Sequence, residues 1–438
     1  MQLIPDDATD GLRARVLAQL SARLDGPRDR PVAVGLSGGG DSLALLALAC
    51  EWGQKAGRRI LALTVDHRLN PDSEIWTQRA GQMARDCGAD WRGLVWEEAR
   101  TGTAIQERAR LARHALLAGA AREAGASVIL LGHTASDALE NDWMRAQGTA
   151  VGELRRFSPS PVWPQGRGIS IFRPLLSEQR EDLRHWLGHE GLEWIDDPAN
   201  TDDRYARVRA RKAITGRERA APTPASIVLP DAGPDADLGV FRFSRSEIAQ
   251  PRALAVALLC ASGQSVPPRG ERLDALVRRV AADMTDAAVL AGARVEMDGP
   301  DVRIFREAGE QRRSGLAVLS LRVNEPVVWD GRFEITAREN GWQVMSADGF
   351  IARLSDRDRR ALKALPAHAR PSMPVLYKPL TGQYVLGDAG VNMRGLCGRR
   401  YRATSLALAG SLLDETTQES ALFDLWHGET GSTALFSF

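Results

Sequence analysis

The chain reads as an α/β protein: a parallel sheet covered by helices on both faces, followed by smaller α and α+β appendages. Three observations predict it. Apolar runs of strand length, at 31–36, 59–65 and 127–131, alternate with helical segments. A glycine-rich loop follows the first run and opens a helix. A stretch rich in Pro, Ala and Asp, 218–239, breaks the pattern. The expected division is 1–217, a linker at 218–240, a mainly helical middle domain at 241–323 and an α+β domain at 324–438.

The elements follow in order. Asp10 is placed to cap a helix carrying Leu12, Val16, Leu20 and Leu24, with Gly26 as its stop. After the strand 31–36 comes a helix over 42–52, then the strand 59–65. Helical segments around 72–87 and 103–124 lead to the strand 127–131. Ser177 opens another helix, with Leu183, Trp186 and Leu187 inward and Gly191 beyond its end. Past the linker stand two helices, the second with Leu273, Leu276, Val277 and Val280 on one face. A strand over 302–305 and hairpins turning at Asp330-Gly331 and Asp348-Gly349 complete the pattern.

Charge and cysteine content exclude several classes. Against 56 acidic residues stand 57 basic ones, so no overall basic field advertises nucleic acid, and only local clustering can. All but four of the basic residues are Arg, a type suited to bidentate phosphate contacts, but a GC-rich genome gives the same bias and is the preferred explanation. The four cysteines form no C-x-x-C pair, which argues against a zinc ribbon, a cysteine-ligated cluster or a disulfide scaffold. The acidic start, Asp6-Asp7, is unlike a signal peptide, and no apolar run is of membrane-spanning length. The expectation is a cytoplasmic protein with no membrane partner.

The sharpest motif is Ser37-Gly38-Gly39-Gly40-Asp41-Ser42, between a strand and a helix. Three glycines let the backbone approach an anion, and the helix N-terminus adds free N–H groups. Ser37 and Ser42 supply hydroxyls, and Asp41 can hold the magnesium that accompanies a polyphosphate. Without a Lys it is not the loop that cradles a transferable γ-phosphate. A second constellation follows the third strand. Spacings of four and three bring His133, Asp137 and Glu140 near one helix face, at the sheet edge where open α/β folds bind ligands. Thr134 and Asp137 also have capping-box spacing, which is a purely structural reading of the same residues. Arg110 and Arg113 can present adjacent guanidiniums to phosphate, or simply be solvated. Between Arg204 and Arg219 lie six Arg and one Lys, Arg207, Arg209 and Arg211 among them.

The loop resembles the S-G-G-x-D-S loop of the N-type ATP pyrophosphatases, the PP-loop superfamily (adenine nucleotide alpha hydrolase-like), whose members adenylate a substrate oxygen. Val65-Asp66-His67 resembles the end of that family's second strand, where adenine binds. Gly132-His133-Thr134-Ala135-Ser136-Asp137-Ala138-Leu139-Glu140 is similar to the G-H-T-A-D-D-Q-A-E of one branch, the tRNA(Ile)-lysidine synthetases. Phe172-Arg173-Pro174-Leu175-Leu176 and the segment from Trp194 to Asn200 match further signatures of that branch. Ser136 replaces an Asp, Asn141 replaces a Thr, and Gln147–Ala150 runs one residue short of the pattern.

The resemblance implies ATP and Mg2+ as cofactors, with tRNA(Ile) bearing a CAU anticodon and L-lysine as partners, and allows a homodimer. It implies ATP contacts from Ser37 to Ser42, Val65 and His133. Catalytic roles fall to Asp41, Asp137, Glu140 and Arg207, and metal binding to Asp41 and Asp137. Phosphate or tRNA contacts fall to Arg110, Arg113, Arg173, Arg209 and Arg211. Two alternatives stay open on the sequence: a tRNA thiolase of the same superfamily, and an RNA-binding paralogue without catalysis.

Overall fold

The computed structural model describes residues 7–24, 26–97, 105–149, 151–196, 206–214, 225–282 and 284–412. They form two compact units, the first holding the chain up to Ile227 with a return segment from Leu406, the second Val228–Ser405. Among the described residues no helix is long and apolar enough to cross a membrane.

In the first unit the order is α1 (Asp7–Ser21), β1 (Val32–Gly35), α2 (Gly40–Ala56), β2 (Ile60–Asp66), α3 (Ser73–Asp86), β3 (Asp90–Val95), α4 (Ile105–Glu123), β4 (Val128–Leu131), α5 (Ala135–Ala146), β5 (Phe157–Pro159), β6 (Ser170–Phe172), α6 (Arg180–His189) and α7 (Ala206–Ile214). The strands lie in the order β3-β2-β1-β4-β6-β5, parallel except for the edge strand β5. Side chains alternate along the strands. Val32 and Val34 face a core with Leu12, Val16, Leu46 and Leu183, while Ala33 and Ile129 face another with Leu117 and Ala121. Helices therefore cover both faces, as the alternating pattern predicts. Because β2 and β4 flank β1 on opposite sides, the order reverses at β1, and the loops after β1 and β4 meet at that switch point.

One local expectation changes, and two features carry no signal in the sequence pattern. Asp10 lies inside α1 rather than capping it, although Leu12, Val16, Leu20 and Leu24 are buried as expected. β3 carries no apolar run, since of its six residues only Leu94 is buried, and its edge position needs no more. The chain also returns to this unit. Ala407 and Leu412 enter the first core, and the Leu408 carbonyl accepts hydrogen bonds from the Ile227 amide at 2.9 Å and from Arg155 Nη1 at 3.5 Å.

The second unit begins with β7 (Val240–Ser244), α8 (Arg245–Ile248), α9 (Pro251–Ser262), α10 (Glu271–Ala281), β8 (Asp286–Leu290), β9 (Ala293–Asp298) and β10 (Asp301–Arg306). Residues 241–323 are thus not mainly helical: β7-β10-β9-β8 form a four-stranded antiparallel sheet beside the two expected helices. The β8–β9 hairpin turns at Ala291-Gly292, both with positive φ, and an Ala there hides the usual Asn-Gly or Asp-Gly signal. Onward lie α11 (Ala308–Arg313), β11 (Leu319–Ser320), β12 (Val327–Trp329), β13 (Phe333–Ala337), β14 (Gln343–Ser346), α12 (Asp356–Lys363), β15 (Pro374–Lys378), β16 (Gln383–Val385), β17 (Val391–Gly395) and α13 (Cys397–Leu408). Asp330-Gly331 does turn the β12–β13 hairpin. Asp348-Gly349 does not turn one, because β14 pairs with β15 and the chain first runs through α12. Asp330, in the hairpin turn, is also the buried counter-ion of Arg306 and Arg332.

Candidate functional site

Two loops build the site. The glycine-rich loop joins β1 to α2, and its first glycine takes φ +86°, where a Cβ would fall 2.7 Å from Ile195 Cδ1. Ile195 in turn donates its amide to the Gly38 carbonyl, so the 194–196 segment braces the loop. Ser42 Oγ accepts from the Ser37 amide at 3.2 Å, lies 3.1 Å from Ser37 Oγ and donates to the Gly39 carbonyl. Both serines thus shape the loop, while the unfilled amides at the start of α2 are left for an anion. The second loop, after β4, presses on the first. A Cβ on Gly132 would lie 2.8 Å from the Asp41 carbonyl oxygen, so only glycine permits this approach.

At the start of α5, Thr134 and Asp137 form the capping box that their spacing allows. Asp137 Oδ2 accepts from the Thr134 amide at 2.8 Å and hydroxyl at 2.9 Å. Both readings of these residues therefore hold, because Asp137 Oδ1 faces the site. There it meets a residue that the motifs do not single out. Arg180, opening α6, donates from Nε to Asp41 Oδ2 at 2.8 Å, from Nη2 to Asp137 Oδ1 at 3.1 Å and from Nη1 to Glu140 Oε1 at 3.2 Å. From α7, packed against α5, Arg211 Nε adds a bond to the same Glu140 oxygen at 2.8 Å. Arg207 Nη1 stands 3.7 Å from Asp137 Oδ1 and is itself exposed.

The electrostatics follow this geometry. Burial pushes the Asp41 carboxyl upward, against the pull of Arg180. Burial also acts to raise Asp137, but Arg180, the Thr134 amide and Arg207 outweigh it and hold that carboxyl below its ordinary value. Burial works against the Arg180 charge as well, yet Asp137 and Asp41 raise its pKa overall, so it stays a guanidinium. Burial, then the Arg173 charge, depresses the His133 imidazole, which is neutral near pH 7 and accepts from Arg173 Nε at Nδ1, 3.3 Å away.

The predicted residues sort themselves accordingly. Ser37 to Ser42, His133, Asp137, Glu140, Arg207 and Arg211 come together at the switch point. Val65 sits partly buried at the end of β2, beside a His67 whose Nδ1 is buried without a partner among the described residues. Arg113, on α4, is partly buried, and burial and Arg207 lower its pKa. Arg110 is exposed and pairs with Glu107, and Arg209 is exposed on α7.

Two expectations are corrected. Arg173 is buried, with donors committed to His133, the Arg155 carbonyl and Ser158, so it supports the site rather than reaching for phosphate. Asp137 does not fit a metal ligand, because Thr134 and Arg180 engage both of its oxygens. Residues 197–200 of the segment from Trp194 to Asn200, and residues 204, 205 and 215–219 of the basic stretch, lie outside the described residues.

The open acceptors are elsewhere. Asp41 Oδ1 and Glu140 Oε2 are buried and have no hydrogen-bond partner among the described residues. No group of three His, Cys, Asp or Glu side chains there is arranged to hold a metal alone. One carboxylate beside substrate phosphates is, however, how Mg2+ is commonly held, and Asp41 at the loop suits that role.

A family model described as a PP-loop domain matches residues 12–218. The tRNA(Ile)-lysidine synthase of Caulobacter vibrioides is 44% identical over 414 residues, covering 92% of this chain and 98% of its own. That of Hyphomonas neptunium is 36% identical, covering 67% of this chain and 86% of its own. That of Brucella anthropi is 30% identical, covering 69% and 73%. A PP-loop, a carboxylate cluster at the switch point and likeness along nearly the whole chain place this protein in the tRNA(Ile)-lysidine synthase family.

Proposed function

We propose that the protein ligates L-lysine to C2 of the wobble cytidine of a tRNA(Ile) with a CAU anticodon, using ATP, in the cytoplasm. The C2 oxygen of the cytidine attacks the α-phosphate of ATP, and pyrophosphate leaves. The lysine side-chain amine then attacks C2 and gives up a proton, and AMP departs with the oxygen. Adenylation makes a poor leaving oxygen a good one. The observation that carries this reading is the pair of buried, unmatched carboxylate oxygens beside the PP-loop, because a cationic amine and a metal-bound triphosphate are what such a pocket accepts.

The chain's own residues divide the work. The amides at the start of α2 receive phosphate oxygens, and the exposed Arg207 is free to turn from Asp137 toward the adenylate. Glu140 offers its open oxygen to the lysine amine, and Asp41 would hold magnesium, which would supply positive charge beside the pyrophosphate. Neutral His133, fixed by Arg173, lines the same loop.

The test is AMP and pyrophosphate release from a CAU-anticodon isoleucine tRNA transcript with ATP and Mg2+, with and without lysine. The elongator methionine tRNA, which shares the anticodon, serves as the control. Lysine-dependent release on the isoleucine tRNA alone is the expected result. AMP release indifferent to lysine would point to another nucleophile, and tight binding without turnover to an RNA-binding paralogue.

A further inference from the structure

We infer that Arg180 is a positioning residue for this reaction: one guanidinium takes an oxygen from each of Asp41, Asp137 and Glu140, and so leaves the second oxygens of Asp41 and Glu140 as the open acceptors for the cationic reactants. The inference rests on the reading under Proposed function and adds the device that sets up its carboxylates.

The three carboxylates come from two helices. Asp41 sits in the first turn of α2, and Asp137 and Glu140 stand one turn apart on α5. Unaided, three such groups converging on a buried cleft would repel one another, and burial would neutralise some of them. A planar fork with three differently directed nitrogens meets all three at once, as an ammonium on a flexible stem does not. Arg180 is 8% exposed, and all three of its nitrogens are committed, so it acts through the carboxylates rather than on phosphate.

Its own place is fixed from both sides. Leu183 and Leu187 of the same helix are fully buried, and the Glu178 carbonyl, two residues before Arg180, accepts the Ala135 amide that opens α5. Arg211 reinforces the selection, since it binds the Glu140 oxygen already held by Arg180 and leaves the other open. Seen this way, Arg180 fixes which oxygen of each carboxylate is presented. Its loss disturbs cation recognition while the surfaces for adenine and RNA stay as they are.

The experiment compares the full-length protein with Arg180→Lys and Arg180→Gln. Binding of Mn2+ with the non-cleavable α,β-methylene ATP is followed by electron paramagnetic resonance, the KM for lysine is separated from kcat in AMP release, and tRNA affinity and thermal stability are measured alongside. Both variants are expected to weaken Mn2+ binding and to raise the lysine KM by about tenfold or more, the scale of a lost charge-assisted contact. The tRNA Kd should be unchanged, and added guanidinium should restore part of the Arg180→Gln activity. Wild-type Mn2+ affinity and lysine KM in Arg180→Lys would overturn the inference. So would losses that merely follow the unfolded fraction, with no rescue. If the wild type itself shows no lysine-dependent AMP release, the reading of the reaction fails, and the Mn2+ measurement still decides whether Arg180 sets the carboxylates.

Discussion

Gly132→Ala tests whether the two loops of the site must stand at one fixed separation. The added Cβ would lie 2.8 Å from the Asp41 carbonyl oxygen and 3.1 Å from the Ser42 Cα, where ordinary contacts begin at 3.4 Å. Gly132 does not have a positive φ, so its backbone conformation suits alanine and only space is lacking. Both obstacles are main chain in the first turn of α2, with no side-chain end that could swing aside. Relief therefore requires the loops to part by roughly half an ångström, an overpacking that costs about 1–3 kcal/mol. The same shift separates Asp41 from Asp137 and Glu140, and displacements of this order reduce turnover by about 10²-fold. Gly119→Ala is the matched control. It lies within α4 with nothing inside 4 Å of its Cβ, and should stabilise by roughly 0.4–1 kcal/mol. Urea denaturation and lysine-dependent AMP release, run on both variants, give the comparison. A Gly132→Ala protein equal to wild type in both would refute the claim of fixed contact between the loops.

Further outcomes follow from other parts of the molecule. Asp330→Asn leaves Arg306 and Arg332, 2% and 1% exposed, without their counter-ion, and should cost about 3–5 kcal/mol in denaturation of the second unit. A loss below 1 kcal/mol would show that the neighbouring carbonyls suffice. Burial, then Arg113, lowers the His114 imidazole to about 3, while the unfolded chain takes up a proton near pH 6.5. Below that pH the unfolded state binds more protons, so stability falls with acidification until the folded group also titrates. His114→Gln should flatten the dependence of the urea midpoint on pH in that window, and an unchanged slope would contradict it. Thr134→Val removes the hydroxyl that caps α5 through Asp137, at a cost of about 1 kcal/mol in thermal unfolding.

Much of this was legible in the sequence because the signals are local. β1, β2 and β4 are continuous apolar runs, and the PP-loop carries its whole chemistry in six adjacent residues. The α5 motif is similarly compact, and its capping box and its site-facing oxygen both follow from spacing. Arg180 was not legible. It reaches Asp41 across 139 residues of sequence, and nothing in the local pattern of α6 separates it from any helix-opening arginine. Arg173 misled for a related reason, since a motif gives the residue type but not its burial. The β8–β9 hairpin was hidden by Ala291, whose left-handed conformation comes from the surrounding sheet rather than its own preference.

The return of the chain to the first unit has a consequence for synthesis on the ribosome. Everything that carries chemistry is emitted by Arg211, yet Ile227 and Arg155 wait for the Leu408 carbonyl, and the core for Ala407 and Leu412. At translation rates of about 5–20 residues per second, roughly 10–40 seconds separate the two events. Throughout that interval the nascent catalytic unit exposes an apolar seam that only its own distant end can close. A chain cut after Ile227 would keep every site residue and still carry that seam, so messages truncated there should yield protein that chaperones retain.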